Sequence, residues 1–258
     1  MKEYIMKIIS AATAVCILFS LVACGNKTPA PEQEEEPTFE KSATSQTVKI
    51  ASIPTDETEL SDMLNAAINY VDQYCYKYKK TVKCDASVDS VGSLSSVSNV
   101  SDAFASVFGE KDISAEYDYN TDSKLFANSF VKGPIDKENI SSISAKQENN
   151  LVVLTAELNP ESDPTDESGI LSKLGGDYVS AAKVTSSLGE FKSTASSVSV
   201  SADGISITAR ISVDDSSPKS MTVSYTERFN LSGVTLVKIK GGAVSGSAKT
   251  VVEYTNFG

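Results

Sequence analysis

The chain holds no histidine and no tryptophan among its 258 residues. Without imidazole it lacks the side chain that most often moves protons near neutral pH, and with it most catalytic triads and histidine-based zinc sites. Ser180-Ala181-Ala182-Lys183 has the Ser-x-x-Lys spacing that sets a hydroxyl nucleophile one helical turn from an amine. The Ser-Asp-Asn and Lys-Thr-Gly segments that complete that chemistry are both absent, and Lys249-Thr250-Val251 lacks the glycine. In a serine-rich chain such a four-residue match carries little weight. The carboxylate pairs Glu161/Asp163 and Asp214/Asp215 lie in proline- or serine-bearing stretches and read as solvated turn residues. A glycosidase pair would come with aromatic sugar platforms, and tryptophan is missing. Cys75 and Cys84 are too few for a structural zinc site. No catalytic residue, metal or cofactor is expected, and the chain reads as a non-enzyme.

Five tyrosines are more suggestive. Tyr74, Tyr76, Tyr78, Tyr117 and Tyr119 combine apolar bodies with polar tips and form a candidate ligand face. The competing account makes them the sheet surface beneath a helix, a common role for strand tyrosines.

The elements that must position these residues follow from hydrophobic periodicity. Leu60, Met63, Leu64, Ala67, Ile68 and Val71 fall three and four apart, after Thr55 or Asp56 as cap and Glu57 and Glu59 in the first turn. This spacing predicts one amphipathic helix of about 15 residues. From Tyr74 the period becomes two and predicts a long half-buried strand to Val88. A helix continued through Tyr70, Tyr74 and Tyr78 also fits, but Thr81 to Val91 fits only the strand. A cysteine pair outside the cell suggests a disulfide. A continuous strand, however, would hold Cys75 and Cys84 roughly 30 Å apart and leave two free thiols.

Further on, a short helix is expected at residues 102–108 and a hairpin around Glu148-Asn149-Asn150. One helical turn is expected at Ile170–Leu174 and a short helix at Tyr178–Ser187. Asp203-Gly204 predicts a second hairpin, joining Ser197–Val200 to Ile205–Val213. Strands at Ser220–Leu231, Val234–Lys240 and Ser247–Tyr254 complete a meander. The fold expected is α+β: an N-terminal amphipathic helix packed on a curled, mainly antiparallel β-sheet.

The N-terminus carries an address. Lys2 and Lys7 precede an apolar run, Ile8–Val22, which ends at Ala23 and Cys24. This is the layout of a secretory signal. The run of about 15 residues is short of the ~20 that a helix needs to cross a bilayer. Leu21-Val22-Ala23-Cys24 resembles the lipobox of bacterial lipoproteins. The resemblance implies removal of residues 1–23, acylation of Cys24, and anchorage in the cell membrane at its extracytoplasmic face. Residues 24–47, with Pro29, Pro31 and Pro37 around the acidic run Glu32–Glu36, read as a disordered tether. Residues 48–258 remain as a single α+β domain.

The balance of 34 acidic against 23 basic residues, net charge −11, disfavours nucleic acid as a partner. The order of elements is similar to that of the LolA/LppX-type half-barrels of bacterial lipid-carrier lipoproteins. That likeness implies a half-barrel enclosing an apolar cavity for acyl chains. Three functions follow as expectations. The first is a lipoprotein binding an envelope component or extracellular ligand through its sheet domain. The second is a lipid or glycolipid carrier. The third is a serine hydrolase using Ser180 and Lys183.

Overall fold

The computed structural model describes residues 48–96, 112–164, 169–175, 178–190, 193–236, 239–240 and 242–258. The lipobox residues Leu21, Val22, Ala23 and Cys24, the tether and the helix expected at residues 102–108 lie outside these.

Helix α1 spans Glu57–Tyr74. Asp56 caps it by accepting from the N–H groups of Thr58 and Glu59 at 2.9 and 3.2 Å, which satisfies two of the orphan donors of the first turn. Its buried side chains are Leu60, Ser61, Leu64, Ala67, Ile68 and Val71. The helix therefore runs on through Tyr74, and Cys75 forms its C-cap in extended backbone. The switch to period two comes at Lys77, three residues later than the side-chain pattern implied. Aromatic residues at 70 and 74 fit both periods, so the backbone decides.

The main sheet is antiparallel throughout. Its members are β1 (Lys77–Ser90), β2 (Ile113–Asp118), β3 (Ile140–Glu148), β4 (Leu151–Leu158), β5 (Glu161–Ser162), β7 (Ser197–Ser212), β8 (Pro218–Ser232) and β11 (Val244–Thr255). The order is β2-β1-β11-β8-β7-β4-β3, with β5 added on β7. A second, three-stranded sheet joins β6 (Ser193–Thr194), β9 (Thr235–Leu236) and β10 (Ile239–Lys240). The single strand expected at Val234–Lys240 is thus two short strands of this small sheet. The short helices are α2 (Ser123–Asn128), α3 (Ile170–Lys173) and α4 (Ala181–Glu190).

The expected hairpin at Asp203-Gly204 is a correction. Strand β7 passes straight through this dipeptide and pairs with β8 from Ser197–Ser232 to Ile211–Pro218. The register slips between Asp203 and Ser206, and Gly204 sits at φ +58. A tight turn and a bulge both call for a left-handed residue, so the dipeptide alone does not separate them. The flanking pattern does. Ala202 and Ile205 are both buried, and the one extra residue keeps apolar side chains on the inner face along the whole strand. The hairpin at Asn149-Asn150 forms as expected, with Asn149 at φ +57.

Along β8, Met221, Val223, Tyr225, Glu227, Phe229 and Leu231 are buried, while Thr222, Ser224, Thr226, Arg228 and Asn230 face outward. One large apolar cluster joins inner residues of β4, β7, β8 and β11 with Leu60, Leu64, Ile68 and Val71 of α1, Phe126 of α2, Phe130 and Leu171. A second gathers Val184 and Leu188 of α4 with Val200, Phe229, Leu231 and Val244. The class is α+β with the sheet dominant.

Candidate functional site

The five candidate tyrosines do not form one cleft. Tyr78 is 1% exposed and stacks on Tyr117, its cross-strand partner, with ring centroids 5.0 Å apart. Its ring also meets Phe126, Phe130 and Tyr254, and its hydroxyl donates to the Phe126 carbonyl at 2.7 Å. Burial, then the nearby Tyr117, push this phenol well above the usual tyrosine range. Tyr76 and Tyr119 meet edge to face at 6.1 Å, and the Tyr119 N–H donates to the Tyr76 carbonyl. Tyr78 is a core residue, with Tyr117 stacked on it, while Tyr119 meets Tyr76 and Phe126. Tyr74 lies apart, on α1, beside Tyr70 at 5.1 Å.

Tyr70, Tyr74 and Tyr76 open instead onto a groove of about 440 Å³ at the C-terminal end of α1. Cys75, the turn residues Asp215, Ser217, Pro218 and Lys219, and the segment Asn256–Gly258 complete its lining. Tyr70 and Tyr74 share a wall because residues four apart stand on one helix face. The C-terminal segment is fixed by backbone bonds: the Tyr76 and Lys77 N–H groups donate to the Gly258 carbonyl at 2.5 and 2.8 Å, and the Gly258 N–H donates back to Lys77.

The Asp215 turn is equally fixed. Its Oδ1 accepts from the Ser217 N–H at 3.1 Å and the Ser217 hydroxyl at 2.6 Å, and its Oδ2 accepts from Lys219 Nζ at 3.4 Å. Lys219 Nζ also donates to Ser217 Oγ at 2.6 Å. Partial burial works against the Asp215 charge. Hydrogen bonds from Ser217 and Ser212, with the Lys219 cation, outweigh it and hold the carboxyl well below the usual range. Such a carboxylate is a poor proton acceptor at neutral pH, and the ammonium points its donor at the hydroxyl. Asp215, Ser217 and Lys219 thus form a mutually hydrogen-bonded group that fixes the turn.

A second open groove, of about 380 Å³, runs beside α1 and is lined by Ile50, Met63, Ala67, Tyr70 and Ile211 with Glu59 and Asp62.

Ser180 and Lys183 have a structural account. Ser180 Oγ accepts from the Lys183 N–H at 3.2 Å, and its carbonyl accepts from Val184, so it caps α4. Lys183 Nζ donates to the Tyr178 carbonyl at 3.0 Å and lies 4.7 Å over the Tyr178 ring. The group that sequence reading passed over is Glu227, visible only as an interruption in the apolar face of β8. It is 3% exposed, and its cross-strand neighbours are the buried Ala202 and Ala248, which leave room for it. Its Oε1 accepts from the Val179 N–H at 2.6 Å. Burial pushes its pKa up to about 7, offset in part by that bond and by Lys183.

Among the described residues Cys75 and Cys84 form no disulfide, and the Cys84 sulfur accepts from the Thr250 hydroxyl at 3.4 Å. Among the described residues no group of His, Cys, Asp and Glu could hold a metal ion, and no helix is long and apolar enough to cross a membrane. No family model matches the chain, no curated protein matches its sequence, and no solved structure matches its fold.

Proposed function

We propose that this chain is a non-enzymatic lipoprotein, held through an acylated Cys24 at the extracytoplasmic face of a bacterial cell membrane, whose domain binds an envelope component or an extracellular ligand. The single observation that carries the reading is Leu21-Val22-Ala23-Cys24 directly after an apolar run too short to span. The acidic, proline-bearing stretch that follows suits a tether between lipid and domain. Stable anchoring takes two or more acyl chains on Cys24.

The sheet is read as a curled half-barrel with α1 laid along its inner face. The shared apolar cluster of α1 and the strands supports this. It also favours a binding module over a lipid carrier. Leu64, Val71, Ile207 and Val223 each have 0% accessible surface. A hollow wide enough for an acyl chain would leave its lining open to a water-sized sphere. This supports binding on the outside of the domain, and the net charge of −11 disfavours nucleic acid as a partner.

Cell fractionation of the full chain tests the anchor. Wild type is expected with the membranes, and Cys24→Ala in the soluble fraction. Equal membrane association of the two would overturn the lipoprotein reading.

A further inference from the structure

We infer that the groove between Tyr70, Tyr74 and the Asp215 turn is a binding site for a short neutral saccharide, a mono- or disaccharide unit of an envelope or extracellular glycan. The inference rests on the reading of the domain as a ligand-binding module and names where the ligand sits. At about 440 Å³ the groove falls within the ~300–1,000 Å³ of small-ligand sites. Its lining combines aromatic and polar groups, as a sugar ring combines C–H faces and hydroxyls. The aromatic part is the half-buried rings of Tyr70 and Tyr74, tilted 51° to each other. Tyrosine rings meet the C–H surface of a pyranose with their faces and its rim with their hydroxyls. The polar part is a carboxylate, an ammonium and the amide of the exposed Asn256, which together accept from and donate to sugar hydroxyls.

The same lining disfavours other ligands. An acyl chain would strand Asp215 and Lys219 against hydrocarbon. A phosphate-bearing ligand would meet Asp215, which holds its negative charge. A neutral polyol brings no charge to be matched and finds both tyrosine rings and hydrogen-bonding groups. The site is also preorganised: the Asp215 turn is locked by its own hydrogen bonds, and the Asn256–Gly258 side by the backbone bonds to Tyr76 and Lys77. Little ordering cost is left for the ligand to offset.

The test is saturation-transfer difference NMR on the full chain in detergent, with N,N′-diacetylchitobiose, cellobiose and maltose as probes. Transfer to the ring C–H protons of at least one probe is expected. Asn256→Ala, at an exposed position, should weaken that probe by about tenfold, as should Tyr74→Ala, while Tyr74→Phe retains binding. Circular dichroism confirms that each variant is folded. No transfer to any of the three sugars, or transfer unchanged in both Asn256→Ala and Tyr74→Ala, overturns the inference. So does transfer to an alanine tripeptide in place of the sugars, which would assign the groove to peptide. Sedimentation with purified cell-envelope fragments separates the two levels. Envelope binding without sugar binding removes the groove and leaves the proposed function standing, whereas loss of both removes both.

Discussion

Replacing Glu227 with glutamine is expected to flatten the pH dependence of this domain's stability. The carboxyl is 3% exposed, and burial lifts its pKa from the ordinary 4.5 to about 7 in the folded chain. Between those values the native state keeps a proton that the unfolded state has released. The contribution of Glu227 is therefore fully present below about pH 4.5 and is lost as pH rises through about 7. At about 1.4 kcal/mol per pH unit, the whole interval amounts to about 3 kcal/mol. Glutamine keeps a carbonyl oxygen to accept from Val179 and cannot ionise, so its own curve should lack this term. Its amide hydrogens enter the niche between Ala202 and Ala248 in need of acceptors, at a cost of about 1–3 kcal/mol that does not vary with pH. The slope, not the absolute stability, is thus the quantity to compare. Urea unfolding, followed by far-ultraviolet circular dichroism at pH about 5 and about 8, gives that slope for both proteins. Asp215, whose carboxyl is depressed, loses its contribution only in acid and is common to both, so it cancels. Identical slopes in wild type and Glu227→Gln would refute the reasoning.

Thiol titration without reductant should find neither Cys75 nor Cys84 in a disulfide, with Cys84 reacting in the native state and Cys75, buried at the C-cap of α1, reacting only on unfolding. Leu64→Ala should cost about 3–5 kcal/mol in urea unfolding, because Leu64 is wholly buried in the apolar cluster that α1 shares with the sheet. A cost below about 1 kcal/mol would point to a loosely lined hollow beneath α1 instead.

Parts of the fold were legible because a single local rule governed them. The spacing of Leu60 to Val71 placed α1, and Asp56 with Glu57 and Glu59 marked its start. Two-residue alternation placed β8 and β11, and Asn149-Asn150 between alternating runs gave the β3–β4 hairpin. Legibility failed where two structures satisfy the same local rule. Asp203-Gly204 suits a turn and a bulge alike, and Tyr70 and Tyr74 suit both helical and strand periods. The choice there fell to burial on either side, a property of the whole sheet.

The groove was less legible still. Tyr74 and Tyr76 were singled out, but Tyr78 and Tyr119 went to the aromatic packing around Phe126 and Tyr117 to a stack on Tyr78. Asp215 read as a solvated turn residue, and Lys219 and Asn256 gave no signal at all. Three stretches far apart along the chain meet there, and no spacing rule records such a meeting.

By itself the sequence determined the acidic balance, the absence of imidazole chemistry and the period of each long element, and it alone holds the Leu21–Cys24 pattern on which the proposed anchor rests. These are properties of composition or of near neighbours, and they survive in an unfolded chain. Only the tertiary structure decided that β11 inserts between β1 and β8, that Glu227 is buried and bonded to the Val179 N–H, and that Tyr74 and the Asp215 turn line one groove. Strand order and dielectric environment arise from which apolar faces bury one another, and that is a global minimisation with no local signature.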